Sequence, residues 1–438
     1  MRNQVTVGLI GFGTVGTGVA KVLLENADII TRRLGVPIVL KRIADLDITT
    51  DRGLVLPEGI LTTDAQSILD DPEIDIVIEL IGGYNAAKRL ILAAVEKGKH
   101  VVTANKALLA VHGEDLYDVV RKANVDLQFE ASVGGGIPIL RALTSGLSAN
   151  RVLSISGILN GTSNYILTRM SQENEEFSKA LGLAQAKGYA EADPTFDIEG
   201  IDSAHKLAIM VNLAFGTPVN IKEVYTEGIA KLTPLDVAYA QELGMTVKLL
   251  GIAKYVDGEL EVRVHPTMIP QQSPLAKVDG VYNAIHLVGD VVGDIMLYGQ
   301  GAGSLPTASA VVSDIMDVAR NLCQAQATRI PPTSFPFDQR IPIRIRSMQQ
   351  LTCRYYLRFM VQDHSGILSK LAGILGSRGI SIASVLQKGR QEGQTVPVVI
   401  MTHRASEHSV QEALREIESI EQLISEPTTL IRIEDDSD

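Results

Sequence analysis

The residues best suited to chemistry lie in the stretch Asp193–Met210, DPTFDIEGIDSAHKLAIM. Read as a helix from about residue 201, the stretch places Asp202 and Lys206 one turn apart on one face. Apolar residues flank Lys206, and a helix that is apolar nearly all round is usually buried. Burial lowers the pKa of a lysine toward the range in which it can transfer protons. Two interpretations stay open: a surface salt bridge, or a buried acid–base pair.

Acidic side chains surround Pro194, just before this helix. They are Glu191, Asp193, Asp197 and Glu199. Acids so close to a buried lysine could bind the ammonium group of an amino-acid substrate. A solvated acidic loop is the alternative interpretation.

A glycine-rich turn joins a predicted strand, Val5–Ile10, to a predicted helix, Thr17–Asn26. The turn consists of Gly11, Phe12, Gly13, Thr14, Val15 and Gly16. This is the G-x-G-x-x-G pattern in its required context of strand, turn and helix. Its glycines permit a tight turn, close approach of a pyrophosphate and packing of the helix on the strand, and the helix N-terminus offers N–H groups to phosphates. The turn therefore predicts dinucleotide binding.

A second predicted strand, Ile38–Ala44, ends beside the acids Asp45 and Asp47. An acid at this position favours a free ribose 2′-hydroxyl and hence NAD. The nearby Lys41 and Arg42 could instead serve the 2′-phosphate of NADP. The choice between the two cofactors stays open.

Further strands are predicted at Asp75–Ile81 and His100–Thr103, with a helix, Ala86–Lys97, between them. This alternation predicts an α/β fold with a doubly wound parallel sheet, whose ligands gather at the carboxyl ends of the strands. Thr103 and Lys106 follow one of these ends. Lys106 is therefore either a cation at the junction of cofactor and substrate or a surface residue that begins a helix.

Three consecutive glycines, at positions 134–136, follow a predicted strand, Leu127–Glu130. Because glycine allows positive φ and close approach, this segment either wraps round a ligand or forms a flexible turn. Main-chain carbonyl oxygens here, together with the Glu130 carboxylate, could hold a hard cation.

A C-terminal module follows a proline-rich linker. Its predicted elements have the order βαββαβ of the ferredoxin-like fold, and its first helix, Ile367–Arg378, follows a turn at Asp363–Gly366. The predicted segments are a dinucleotide-binding domain at 1–130, an α+β catalytic and dimerisation domain at 131–304, a return helix at about 305–325 that packs on the first domain, a linker at 326–350 and the C-terminal module at 351–438.

The composition is that of a globular protein, with 45% hydrophobic and 21% charged residues among 438. The net charge of −11 argues against nucleic-acid binding. No apolar run is long enough to span a bilayer, and the chain opens almost directly on a strand. We therefore expect no signal peptide, no membrane partner and a cytoplasmic location. Cys323 and Cys353 are too few for a disulfide framework or a four-cysteine zinc site.

Six segments of the chain resemble those of monofunctional homoserine dehydrogenases, over about residues 5–320: GFGTVG, TANK, EASVGGGIP, NGTSNYI, GYAEADPTFDIEGIDSAHK and GQGAGSLPTA. Residues 355–433, with DHSGILSKLAGILGSRGISI, resemble an ACT domain, a small-ligand module of amino-acid biosynthetic enzymes. The resemblance implies the reversible NAD(P)H-dependent reduction of L-aspartate 4-semialdehyde to L-homoserine, on the route to threonine, isoleucine and methionine. Because no aspartokinase region precedes the glycine-rich turn, a single activity is expected.

The resemblance also implies roles for individual residues. Lys206 corresponds to the general acid–base that serves the substrate oxygen, and Lys106 to a second active-site lysine, although the reversed order stays open. Asp202 corresponds to a residue that hydrogen-bonds substrate or water. Glu191 corresponds to the residue that holds the amino group of homoserine.

Three further sites follow from the same resemblance. The loops that contain Gly188 and Gly303 line the cofactor. A monovalent cation, expected to be sodium, is placed at Glu130, Val133, Gly135 and Ile137. An amino-acid effector, expected to be L-threonine, is placed in the ACT domain near Asp363, Gly366, Ile367 and Leu368, where a turn that enters a helix could hold a carboxylate.

The assembly and the rival function are expectations of the same kind. A homodimer through the middle domain is expected, extended to a homotetramer if the ACT domains also pair, and a purely oligomeric role of the ACT domain is the alternative to effector binding. The rival functions are a different NAD(P)-dependent oxidoreductase that acts on another small amino-acid-derived substrate, and a non-catalytic amino-acid sensor that keeps the dinucleotide fold. The long GYAEADPTFDIEGIDSAHK match argues against the first. Retention of both lysines, Asp202 and Glu191 argues against a sensor.

Overall fold

The structure of the chain, a computed structural model, describes residues 2–326, 329–388, 394–420 and 423–435. Its strands are β1 (Val5–Ile10), β2 (Ile38–Ala44), β3 (Leu61–Thr62), β4 (Ile76–Glu79), β5 (His100–Thr103), β6 (Leu127–Gln128), β7 (Val152–Ile158), β8 (Tyr225–Thr226), β9 (Met245–Val256), β10 (Glu259–Pro270), β11 (Tyr282–Gly289), β12 (Gly293–Gln300), β13 (Thr352–Gln362), β14 (Ile382–Gln387), β15 (Thr395–Thr402), β16 (Ala405–Ser406) and β17 (Thr429–Ile433). Its α-helices are α1 (Thr14–Glu25), α2 (Ala27–Leu34), α3 (Gln66–Asp70), α4 (Asn85–Glu96), α5 (Lys106–Ala123), α6 (Ile139–Arg141), α7 (Gly161–Glu173), α8 (Phe177–Ala186), α9 (Thr195–Ile198), α10 (Ile201–Phe215), α11 (Pro234–Glu242), α12 (Ser304–Cys323), α13 (Ile367–Ser377) and α14 (Glu407–Ser419).

These elements form two compact units. The first unit consists of Met1–Leu159, Asp202–Val224 and Tyr282–Ile343, and the second of Asn160–Ile201, Tyr225–Val281 and Arg344–Asp438. The domain boundaries drawn from the sequence stay a prediction. Positions 327–328 of the predicted linker, and positions 389–393, 421–422 and 436–438 of the predicted ACT domain, lie outside the described residues.

The first unit contains a six-stranded parallel sheet in the order β3-β2-β1-β4-β5-β6. Every residue of β1 is buried, as expected for a central strand that is covered on both faces. Helices α1 and α12 share one apolar core with this sheet, in which Val19 and Leu23 lie with Val311 and Ile315. The predicted doubly wound parallel sheet is confirmed.

Helix α10 is buried along most of its length, from Asp202 to Leu213. Only 8% of Lys206 is exposed, so the interpretation as a surface salt bridge is wrong. Burial follows from the apolar residues that cover nearly the whole circumference of this helix. In the same unit, β11 pairs antiparallel with both β12 and β7.

The second unit contains the βαββαβ arrangement β13-α13-β14-β15-α14-β17, whose strands pair antiparallel in the order β17-β13-β15-β14. The ferredoxin-like ACT fold is confirmed. Strand β17 also pairs in parallel with β10, with Thr267 opposite Arg432, so this sheet continues into the β9–β10 hairpin. The prediction from sequence did not include this continuation. In the part of the chain that the structure describes, no helix combines the length and the apolar character needed to cross a membrane.

Candidate active site

A single carboxylate, that of Asp202, lies between two lysine ammonium groups in the first unit. Its Oδ2 accepts a hydrogen bond from Lys206 Nζ at 2.7 Å, and its Oδ1 lies 2.9 Å from Lys106 Nζ. Asp202 and Lys206 are nearly buried, whereas 37% of the Lys106 side chain is exposed. Burial lowers the pKa of the adjacent His205. The cluster therefore presents a net positive charge at its open side, which suits a substrate oxygen that gains negative charge.

The ammonium of Lys206 also has a fixed main-chain partner. Lys206 Nζ donates to the carbonyl oxygen of Leu159 at 2.6 Å, and Asn283 Nδ2 donates to the same oxygen at 2.8 Å. These bonds hold the lysine in one orientation. Sequence analysis missed both Leu159 and Asn283, because neither lies near Lys206 in the chain and no local pattern marks them.

Lys106 is positioned by the carboxyl ends of β4 and β5. Asn105 Oδ1 accepts from the backbone N–H of Leu108 at 3.1 Å, which caps α5 directly before Lys106. Thr103 Oγ1 donates to Glu79 Oε2 at 2.7 Å, and burial raises the pKa of Glu79. Sequence analysis missed Asn105 and Glu79, although an asparagine before a helical pattern is a recognised capping signal.

The glycine-rich turn has the geometry that a dinucleotide phosphate requires. Gly11 has φ 102°, and a Cβ on Gly16 would lie 2.1 Å from the Gly11 carbonyl oxygen, so both positions require glycine. Nothing lies within 4 Å of where a Cβ on Gly13 would be, and α1 has no side-chain cap. Its first N–H groups are thus available to an anion.

The predicted cofactor residue Gly303 lies beside this turn. It is the N-cap residue of α12, and Ser304 Oγ donates to the carbonyl oxygen of Thr14 at 2.7 Å. The structure therefore brings the GQGAGSLP loop, the glycine-rich turn and the end of β5 to one edge of the first unit. Gly188 belongs to the second unit, where it follows α8 with φ 72°.

The segment that follows β2 contains a basic residue, Arg52, that the sequence analysis did not consider. Asp45 accepts from the backbone N–H of Phe12, and the Arg52 guanidinium lies 5.0 Å from the centre of the Phe12 ring. Arg52 Nη2 also lies 3.8 Å from Asp45 Oδ1. Lys41 instead forms ion pairs with Asp71 and Glu73. Arg52 Nη2 also lies 3.6 Å from Asp47 Oδ2, at longer range than the two ion pairs of Lys41. Arg52 therefore joins Arg42 as a candidate partner of a 2′-phosphate.

The predicted cation segment lies in the first unit. Glu130 is not at the end of a strand, because β6 ends at Gln128 and Glu130 begins a 3₁₀-helix. Each of its carboxylate oxygens accepts a backbone N–H, from Leu140 at 2.9 Å and from Arg141 at 2.7 Å, and burial raises its pKa to about 7. These bonds cap the following helical segment. Each carboxylate oxygen keeps a further lone pair, so Glu130 stays a predicted cation ligand together with the main-chain carbonyl oxygens.

Glu191 lies in the second unit, in the segment between α8 and α9. Its side chain is exposed, and its carbonyl oxygen accepts from Gln185 Nε2 at 3.1 Å. The nearby Asp197 accepts from Asn160 Nδ2 at 2.7 Å, which ties the NGTSN turn to α9. The acidic segment is thus ordered by its own hydrogen bonds, with Glu191 open to solvent.

The turn before α13 forms a cavity of about 410 Å³ in the ACT fold. Its lining includes the four predicted effector residues, Asp363, Gly366, Ile367 and Leu368. Gly366 is the N-cap residue of α13 with φ 93°, and no side chain caps this helix. The first-turn N–H groups suit a carboxylate, and that of Ile367 also donates to the His364 carbonyl oxygen at 3.4 Å.

Comparisons with known proteins show similarity to one family along the whole chain. Family profiles described as "Homoserine dehydrogenase, NAD binding domain", "Homoserine dehydrogenase" and "ACT domain" match residues 11–130, 138–316 and 355–422. The homoserine dehydrogenase of Neisseria gonorrhoeae is 46% identical over 98% of both chains. The crystal structure of a homoserine dehydrogenase from Thiobacillus denitrificans has a TM-score of 0.93 and 45% identity, over 99% of this chain and 98% of that one. A hyperthermophilic archaeal homoserine dehydrogenase, solved in complex with NADPH, has a TM-score of 0.61 and 25% identity, over 72% of this chain and 97% of that one. The chain holds two lysines on one carboxylate, at the edge where the dinucleotide turn lies. Because relatives of this identity match it along its whole length, the chain belongs to the homoserine dehydrogenase family of NAD(P)-dependent oxidoreductases.

Proposed function

We propose that the chain catalyses the reversible reduction of L-aspartate 4-semialdehyde to L-homoserine, a step toward threonine, methionine and isoleucine. The observation that carries this proposal is the bridging of Lys106 and Lys206 by Asp202 at the edge where the glycine-rich turn lies. Carbonyl reduction needs a hydride close to the carbon and a proton or positive charge at the oxygen. The two ammonium groups meet the second requirement.

The proposed roles follow from the surroundings of each group. A bound nicotinamide dinucleotide supplies or accepts the hydride. Lys206, the more buried lysine, donates the proton to the substrate oxygen, while the more exposed Lys106 polarises and orients the substrate. Asp202 holds both ammonium groups and hydrogen-bonds substrate or water, and the solvent-exposed Glu191 binds the substrate amino group.

The test of this function is homoserine oxidation, followed by nicotinamide absorbance with NAD and NADP in parallel. Turnover that requires homoserine supports the proposal. Absence of turnover with both cofactors, from protein whose circular dichroism shows it to be folded, would favour another substrate or a non-catalytic sensor.

We propose that Arg52 influences the choice of cofactor by contacting the 2′-phosphate of NADP. Replacing Arg52 by alanine is expected to raise the KM for NADP about tenfold or more, because a charge-assisted hydrogen bond to a phosphate contributes about 1.5–3 kcal/mol. The KM for NAD, which has no 2′-phosphate, should change much less. Lys41→Ala is the control, since Lys41 is paired with Asp71 and Glu73. An equal change for both cofactors in the Arg52 variant would contradict the assignment.

We propose that the segment from Glu130 to Ile137 binds a monovalent cation, which we expect to be sodium. Gly134 and Gly135 have φ of 71° and 54°, a backbone conformation that other residues rarely adopt. This conformation sets the directions of the successive carbonyl groups. Main-chain oxygens of Val133, Gly135 and Ile137 are ligands of the hard type that such a cation prefers.

The cavity before α13 is proposed to bind an amino acid, most simply L-threonine. The first-turn N–H groups suit its carboxylate, and Asp363 suits its ammonium group. Replacing Asp363 by alanine is expected to weaken threonine binding about tenfold or more, by loss of a charge-assisted contact. Isothermal calorimetry on the full chain measures this. Absence of heat from threonine, isoleucine and methionine with the unaltered chain would contradict effector binding.

A homodimer through the β7-β11-β12 sheet is also part of the proposal. Strand β12 pairs with β11 and carries exposed apolar side chains at Met296 and Tyr298. Tyr298 stacks on Tyr282 with their ring centres 5.1 Å apart. An exposed apolar face on a sheet of this kind is a typical site for association with a second copy.

A further inference from the structure

The helices that hold the two lysines are joined a second time, away from the active-site cluster. Lys106 is the first residue of α5, and Glu114 lies about two turns further along that helix. Lys206 belongs to α10, and Asn212 lies almost two turns further along it. Asn212 Nδ2 donates to Glu114 Oε1 at 2.8 Å, which links α5 to α10.

Arg340, in the predicted linker, completes this link. Its Nη1 donates to Glu114 Oε2 at 2.7 Å and its Nη2 to Glu114 Oε1 at 2.8 Å, which is a two-pronged ion pair. The same Nη2 lies 3.3 Å from Asn212 Oδ1. The three side chains therefore form a closed ring of hydrogen bonds, which we call the Glu114–Asn212–Arg340 ring.

The guanidinium of Arg340 is itself held in place. Only 5% of the Arg340 side chain is exposed, and its guanidinium carbon lies 5.7 Å from the centre of the Phe337 ring. Three residues later, the backbone N–H of Ile343 donates to Thr217 Oγ1 at 2.9 Å. The linker is thus anchored on both sides of Arg340, which makes Arg340 a rigid point of attachment for the two helices.

Apolar packing next to the ring is incomplete. A cavity of about 340 Å³ is lined by residues of both helices, among them Leu109, Gly113, Ala208 and Ile209. Side chains that face a void have no atoms opposite them and gain no dispersion energy there. The ring is therefore a side-chain contact that can fix the spacing of α5 and α10 at this level.

We infer that Arg340 is a positioning residue for catalysis, which acts through Glu114 and Asn212 on the separation of Lys106 from Asp202 and Lys206. The inference rests on the proposed roles of the two lysines. Because 37% of the Lys106 side chain is exposed, its place depends on the helix that holds it. A shift of about 1 Å in reacting groups can reduce the rate about a hundredfold.

The test compares Arg340→Met and Glu114→Gln with the parent chain in homoserine oxidation. In Arg340→Met we expect kcat to fall about tenfold to a hundredfold, with KM for homoserine and Kd for the cofactor within about twofold of the parent. Glu114→Gln should also lower kcat. The double variant, Arg340→Met with Glu114→Gln, should have a kcat no lower than that of Arg340→Met alone, since the two residues act as one unit. Arg344→Met is the matched control, because Arg344 lies in the same linker, is 69% exposed and pairs only with Glu259 among the described residues.

Three outcomes would overturn the inference. The first is an unchanged kcat in Arg340→Met. The second is that kcat and KM change equally in Arg340→Met while its melting temperature falls. The third is that Arg344→Met lowers kcat as much as Arg340→Met does. If Arg340→Met does not fold, the kcat of Glu114→Gln tests the inference instead. This variant should fold, because Glu114 is 43% exposed and glutamine keeps the shape of the side chain. Failure of the proposed function is distinguished by the parent chain, which would then show no homoserine oxidation. Failure of the proposed lysine roles is distinguished by Lys206→Ala, which would then retain near-normal turnover.

Discussion

Replacing Lys206 by alanine is expected to lower kcat for homoserine oxidation about 10²- to 10⁴-fold, the usual contribution of a general acid–base. The ammonium of Lys206 has a fixed place, between Asp202 Oδ2 and the carbonyl oxygen of Leu159. Alanine removes the proton donor and leaves the glycine-rich turn intact. The Kd of the cofactor should therefore change little, and steady-state kinetics with cofactor titration measure both quantities.

Lys99→Ala is a matched control for this variant. Lys99 is also buried, with 6% exposure, and it donates to the carbonyl oxygens of Asp71 and Ile74 at 2.6 and 2.8 Å. It precedes β5, at the opposite end of the strand from Thr103 and Lys106. Its loss should affect stability but not kcat. Near-normal turnover of the Lys206 variant would contradict the assignment, and a greater loss in Lys106→Ala would favour Lys106 as the acid.

Replacing Asp236 by alanine is expected to lower the free energy of unfolding of the second unit by about 3–5 kcal/mol, because it leaves a buried charge without its partner. Asp236 is fully buried, and Arg358 is 6% exposed. The guanidinium donates to both carboxylate oxygens, from Nε to Oδ1 at 2.6 Å and from Nη2 to Oδ2 at 3.1 Å. Tyr356 Oη also donates to Oδ1, at 3.1 Å. This pair joins α11 to β13 of the ACT fold.

Urea denaturation followed by circular dichroism measures this loss, and two controls frame it. The double variant Asp236→Leu with Arg358→Met removes both charges and should recover most of the stability, since a buried pair replaced by apolar residues is often neutral. Glu242→Gln breaks the exposed pair with Lys388 and should lower the free energy of unfolding much less, because an exposed ion pair contributes little. An Asp236→Ala variant whose loss is as small as that of Glu242→Gln would show that the pair contributes no more than a surface contact.

The local sequence determined the first strand, the dinucleotide turn and the helix that follows it. A fully apolar strand, Val5–Ile10, runs into glycines whose positions require a tight turn, so the strand, the turn and the following helix could be predicted together. The structure differs in that α1 starts at Thr14, inside the turn, and ends at Glu25 rather than Asn26. The burial of Lys206 had a weaker local signal. Apolar residues all round a helix indicate burial, but the spacing of Asp202 and Lys206 is equally typical of a surface pair.

Only the tertiary structure decided which groups hold the lysines. Lys106 meets Asp202, and Arg340 joins α5 to α10, although these residues are far apart in the chain. Likewise, the carbonyl oxygen of Leu159 accepts from both Lys206 and Asn283. Helical and strand periodicities report which face of an element is buried, but they carry no information on which distant residue meets it. A hydrogen bond between remote residues forms only when the packed core brings the two elements together. The sequence thus determined the chemistry available to this chain, and the packing of its helices decided the arrangement in which two lysines share one carboxylate.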